Sequence, residues 1–139
     1  MKIVIERINE AFKMKAKNED GKSVVLDASP EVGGNNDGLR PMQLLLASLG
    51  SCSAIDIVNI INKQKQRLEG IKITVNAERE KGSVPALFSE INIFFELSGD
   101  INKQKAKNAI QLSMEKYCSV ARILEKSCCI NYDFEIYNP

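Results

Sequence analysis

In residues 71–77 the apolar Ile71, Ile73, Val75 and Ala77 alternate with Lys72, Thr74 and Asn76, the period of two that marks a strand with one wet face. Residues 87–97 repeat the pattern through Leu87, Ile91, Ile93, Phe95 and Leu97. Between them Lys81-Gly82-Ser83-Val84-Pro85 has turn chemistry, so the two strands are expected to form a hairpin. A third strand is expected at the C-terminus, with Cys128, Ile130, Tyr132, Phe134 and Ile136 on one face and Cys129, Asn131, Asp133 and Glu135 on the other. The N-terminal part is less regular; residues 2–8, 11–16 and 23–26 read as short strands of a small meander.

The glycines and amides of Glu31-Val32-Gly33-Gly34-Asn35-Asn36-Asp37-Gly38 suit a loop. Pro41 then fits a first helical turn, where its missing N–H costs nothing. Residues 42–63 carry apolar side chains on nearly every face, the pattern of a helix buried all round, while Gln43, Ser48, Ser51, Asp56 and Asn59 interrupt it too often for a membrane span. One small sheet covers only one side of such a helix. A second copy would cover the other, and Ala47, Ser48, Gly50, Ser51, Ser53 and Ala54 permit close approach, so a homodimer centred on this helix is expected. Residues 101–117 read as a more polar helix and 119–126 as a short final one. The elements amount to an α+β fold in a single domain, 1–139.

Composition narrows the function. A formal charge of +1 lacks the basic excess of a nucleic-acid binder; Lys13, Lys15 and Lys17 form a solvated strand face, and Lys103, Lys105 and Lys107 are dispersed around a helix. The first eight residues include Lys2, Glu6 and Arg7 and no apolar run follows, so no signal peptide is read and a cytoplasmic location is expected. Four cysteines are expected to stay reduced there, and with no histidine and no Cys-x-x-Cys pair neither a metal site nor another cofactor is expected.

Two cysteines sit in specific surroundings. Cys52 lies in Gly50-Ser51-Cys52-Ser53-Ala54-Ile55-Asp56, inside the long apolar helix, where free cysteine also serves as a small apolar filler. Asp56 follows it by one helical turn. Cys118, in Glu115-Lys116-Tyr117-Cys118-Ser119-Val120, marks a break between helices; Ser119 is a candidate cap, and a thiol at a helix N-terminus is favoured as thiolate, with Arg122 one turn on as possible support. Cys128 and Cys129 are adjacent on a strand, face opposite ways, and are expected to be inert.

The two cysteine frames, with Ser29-Pro30-Glu31-Val32-Gly33-Gly34, Pro41-Met42-Gln43-Leu44-Leu45-Leu46 and Ser113-Met114-Glu115-Lys116-Tyr117-Cys118, resemble the OsmC/Ohr superfamily, named for an osmotically inducible protein and for organic hydroperoxide resistance. The resemblance covers nearly the whole chain and is strongest to the YhfA-like branch. It implies an intertwined homodimer, two sheets enclosing central helices, and active sites at the subunit interface. It also implies that Cys52 attacks a hydroperoxide, becomes a sulfenic acid, and is resolved as a disulfide by Cys118, which an external dithiol then reduces. The family's peroxidases pair the nucleophile with an arginine from the N-terminal sheet and a glutamate after the helix-opening proline. This chain departs at both: Met42 follows Pro41, and no arginine stands at or beside Phe12. Arg40 and Gln43 are the nearby candidates to substitute. Met42, Leu45 and Leu49, upstream of Cys52, are candidates to line a pocket for an alkyl tail. Two alternatives remain open: a non-enzymatic dimer that binds a small hydrophobic ligand, and reversed cysteine roles.

Overall fold

The computed structural model describes residues 1–138, in two compact units divided after Leu45. In the first unit β1 (Ile3–Arg7), β2 (Met14–Asn18) and β3 (Ser23–Leu26) form the expected antiparallel meander, with Ile5 opposite Ala16 and Ala16 opposite Val24. The turns are set by side chains. Asn9 Oδ1 accepts the N–H groups of Ala11 and Lys13, and Asn18 Oδ1 those of Asp20 and Lys22. Beyond β3 the Asp27 carboxylate, only 2% exposed, accepts N–H bonds from Ala28, Asn35 and Asp37 and so ties down the loop. The Asp37 amide, opposed by burial and aided by the amides of Ala28 and Asn35 and the charge of Lys13, holds the Asp27 carboxyl below its ordinary range. That contribution to stability is present above the usual carboxylate pKa and fades as pH falls below it.

Helix α1 (Pro41–Lys63) begins at Pro41 as expected. The second unit continues with β4 (Arg67–Arg79), β5 (Phe88–Asp100), α2 (Lys103–Leu112), a π-helical turn (Ser113–Tyr117), α3 (Ser119–Leu124) and β6 (Cys129–Tyr137). Its sheet runs β4-β5-β6. β4 and β5 form the expected hairpin, β4 running past the marked alternation at both ends and β5 at its C-terminal end, and β6 pairs with β5 in parallel. A parallel neighbour requires a crossover, and α2 and α3 provide it. Ile73, Phe95 and Phe134 align across the three strands, as do Ala77, Ile91 and Ile130, giving one apolar face.

α1 lies on that face. A Cβ added at Gly50 would stand 3.4 Å from Val75 Cγ2 and 3.6 Å from Ile73 Cγ2, ordinary contact distances, so helix and sheet are closely seated there with room for no more than a methyl group. Leu49, Gly50, Ser53, Ile57 and Ile61 form the buried stripe. The helix is not buried all round by its own chain: Ile55 is 71% exposed and Leu45 39%. An apolar pattern registers a demand for burial and does not say which molecule meets it. α1 is also long and apolar enough to cross a membrane, so its polar residues do not exclude a span by composition; one face of it is seated on β4.

The expected helix over 101–117 is shorter and interrupted. Asn102 caps α2, its side chain accepting the Lys105 N–H at 3.1 Å, and Ala106, Ala109 and Ile110 bury one face. At Gly99, φ is +134° and a Cβ would collide with the Arg67 carbonyl oxygen, beside the irregularity between Leu68 and Gly70. Gly99→Ala is therefore expected to destabilise the fold by about 1–3 kcal/mol, read as a lower urea midpoint, whereas Gly21→Ala, whose Cβ would meet nothing within 4 Å, is expected to cost less.

Candidate functional site

Cys52 and Asp56 sit one turn apart on α1, so their side chains project from the same face. Cys52 is half-buried, at the border of the stripe that packs on the sheet. Cys118 reaches them from the crossover. The π-helical turn places it: the Cys118 N–H donates to the Ser113 carbonyl at 2.8 Å, across five residues rather than four, and the chain then leaves the helix at φ −69°, ψ 103°. One sulfur of Cys52, one of Cys118 and one carboxylate oxygen of Asp56 lie within 4.8 Å of one another.

The expected cap of α3 is corrected. Cys118 itself is the N-cap, its Sγ accepting the Ala121 N–H at 3.4 Å, and Ser119 is the first residue of the helix. The expected thiolate at Cys118 is corrected too. The side chain is completely buried, and burial, opposed by the Ala121 N–H and reinforced by Cys52 and Asp56, pushes the thiol up to about 11. One weak N–H bond does not offset the loss of water.

Ser113 is the site residue that sequence reading missed. It is fully buried, and its hydroxyl lies 3.1 Å from Asp56 Oδ2 and 3.4 Å from the Ser53 carbonyl oxygen. With one proton to give, the shorter contact to a carboxylate is the stronger bond, so Ser113 fixes Asp56 in place. The hint in the sequence was a serine five residues before Cys118, and a polar residue in a polar helix carries little signal.

The remaining candidates lie elsewhere. Arg122 Nη1 bonds the Glu115 carbonyl oxygen at 3.2 Å and pairs with Glu125 at 2.9 Å, so its charge is engaged at the surface. Gln43 Oε1 accepts the Arg40 N–H at 3.0 Å, half of a capping box for α1, and the Arg40 side chain acts on Glu31. Met42, Leu45 and Leu49 recur with Cys52 at helical spacing, but Leu49 is buried in the core while Leu45 is exposed. Cys128 Sγ bonds the Leu124 carbonyl oxygen at 3.4 Å and Cys129 is exposed at the start of β6.

An α+β fold with two three-stranded sheets, a long central helix and a dithiol on that helix and its crossover defines the class. The chain belongs to the OsmC-like protein family, whose model matches residues 34–133. It is 32% identical over 128 residues to Protein YhfA of Escherichia coli K12, a match covering 91% of this chain and 92% of that one. A hypothetical protein from Aquifex aeolicus has the same fold with a TM-score of 0.86 and 30% identity, covering 99% of this chain and 96% of the other. An organic hydroperoxide resistance protein from Legionella pneumophila superposes with a TM-score of 0.69 at 17% identity, covering 97% of each chain.

The burial pattern orders the thiols. At pH 7.5 a thiol with a pKa of about 11 is ionised in about one molecule in 3,000. Alkylation mapped by mass spectrometry is expected to label exposed Cys129 and half-buried Cys52 well before Cys118, with Cys118 labelled as pH approaches 11. Labelling of Cys118 ahead of Cys52 at neutral pH would assign the activated thiol to Cys118.

Proposed function

We propose that the protein is a thiol-dependent reductant of organic hydroperoxides, with Cys52 the attacking thiol and Cys118 the resolving one. The observation that carries this reading is the approach of the two sulfurs, one half-exposed and the other fully buried, on separate elements. Cys52 sulfur attacks one peroxide oxygen and the O–O bond breaks; the other oxygen leaves as an alcohol, giving a sulfenic acid. Cys118 sulfur then attacks the Cys52 sulfur, water leaves, and a disulfide forms, which an external dithiol reduces in a two-electron exchange. Cys118, with its raised pKa, is the poorer first nucleophile, which favours these roles over the reversed ones. Structural neighbours named for organic hydroperoxide resistance, including one from Elizabethkingia anophelis, support the same chemistry.

The reading includes a homodimer in the cytoplasm. Ile3, Val4, Ile5, Phe12, Leu45 and Ile55 are each more than a third exposed, an apolar excess that a second chain would cover. A hydrocarbon-lined approach to Cys52 at such an interface would favour alkyl hydroperoxides over hydrogen peroxide by about 0.8 kcal/mol for each methylene taken from water.

Counting free thiols tests the reaction. One equivalent of an organic hydroperoxide is expected to reduce the count from four to two, with peptide mapping placing the bridge between Cys52 and Cys118. In Cys118→Ser the same treatment is expected to leave a sulfenic acid at Cys52 that a dimedone-type reagent traps. No loss of thiols would favour the non-enzymatic ligand-binding alternative, and a bridge from Cys118 to Cys128 would overturn the roles. Sedimentation at micromolar concentration is expected to give twice the 15.5 kDa chain mass; a stable monomer would remove the dimer from the reading.

A further inference from the structure

Local spacing gives no metal motif, yet the fold gathers three donors that no Cys-x-x-Cys pattern would register. We propose that Cys52, Asp56 and Cys118 of the reduced protein form a three-ligand site for one thiophilic divalent cation of the zinc type. Tetrahedral zinc, with Zn–S of about 2.3 Å and Zn–O of about 2.0–2.2 Å, sets its ligand atoms about 3.5–3.8 Å apart. The donor atoms here lie within 4.8 Å of one another, so no pair has to close by more than about 1.3 Å, within the range of side-chain rotation.

The surroundings are those of a built site. Cys52 and Asp56 project from one turn of a long helix, and Cys118 is fixed by the 2.8 Å bond of the π-helical turn. Ser113, fully buried, donates to Asp56 Oδ2 and so fixes the orientation of the carboxylate, which keeps further lone pairs for a cation. The Ala121 N–H does the same for the Cys118 sulfur. Two thiolates select zinc, cadmium or a similarly soft ion over magnesium or calcium, and three protein ligands leave a fourth position for water. Half-exposed Cys52 provides the way in.

Binding is a coordination step without redox change: the cation takes the place of the two thiol protons, which pass to solvent. Only the dithiol can bind. Once the two sulfurs are bonded to each other neither is a thiolate, so oxidation releases the ion and the bound ion shields the sulfurs from oxidation. The site does not depend on hydroperoxide turnover.

Zinc titrated calorimetrically into reduced, metal-free protein, and cadmium followed by its near-ultraviolet thiolate absorption, test the site without any hydroperoxide. One ion per chain is expected. Cys52→Ser and Cys118→Ser are each expected to weaken binding by 100-fold or more, and Asp56→Asn and Ser113→Ala by about 10-fold, while Cys128→Ser and Cys129→Ser leave it unchanged. Because Cys118 is a core residue, circular dichroism accompanies its variant, and half-buried Cys52 carries the test if that variant unfolds. Absent cadmium–thiolate absorption, unchanged affinity in Cys52→Ser and Asp56→Asn, or binding lost with Cys128 or Cys129 would each overturn the proposal. A protein that binds zinc but ignores hydroperoxide would retain this site and lose the peroxidase reading, and the converse result would do the opposite.

Discussion

The close seating of α1 on β4, at Gly50 against Val75 and Ile73, is the contact on which the second unit and its site depend. An added Cβ would just reach ordinary contact with those two side chains, so a residue larger than alanine at position 50 would push the helix outward and open a gap under Leu49, Ile57 and Ile61, which are completely buried and are each worth roughly 1.5–3 kcal/mol of transfer free energy. The same seating sets the depth of the site. Cys52 is two residues beyond Gly50, where the buried stripe meets the open face, so its sulfur is half-covered while Ser53 beside it is fully enclosed. Tilting the helix outward would expose the dithiol; pressing it further in would close off Cys52.

The second requirement is topological. Because β6 pairs in parallel with β5, the chain must leave the end of β5, cross the sheet and return to its start, and that path brings α2 and α3 past α1. Ser113 and Cys118 both lie where this path bends. The extra residue of the π-helical turn shifts the backbone so that the Ser113 hydroxyl reaches Asp56 while Cys118, five residues on, turns its sulfur to the same place. One local irregularity thus supplies both the anchor of the carboxylate and the second thiol.

Much of this architecture was legible in the sequence because alternation and helical periodicity report which positions must be buried. Ile71 to Ala77 announced β4, Pro41 the start of α1, and the Ile130, Tyr132, Phe134 and Ile136 face announced β6. Period alone does not name a partner, so the parallel pairing of β6 was not readable, nor was the open face of α1. The break after Leu112 was missed because a π-helical turn keeps helical composition and changes only the hydrogen-bond register. The two cysteines of the candidate site were readable through their surrounding motif. Their environment was not: Cys118 looked like a thiol at a helix N-terminus, and only the structure adds that it lies in the core, where burial outweighs a single N–H bond.

That environment constrains the chemistry. Two sulfurs and a carboxylate within 4.8 Å all carry negative charge when ionised, and Arg122, the cation one turn past Cys118, is paired with Glu125 at the surface. A site of this kind resists holding a bare thiolate at its buried end. In the peroxide reading this is tolerable, because the two steps make different demands. Attack on a peroxide requires a thiolate, and it falls to Cys52 at the solvent border. Resolution conserves charge overall: Cys118 gives up a proton as its sulfur bonds to Cys52, and the departing hydroxyl takes up a proton to leave as water. A buried resolving thiol therefore needs no permanent cationic partner. A bound divalent cation meets the same constraint by another route, placing positive charge among three donors that repel one another when ionised.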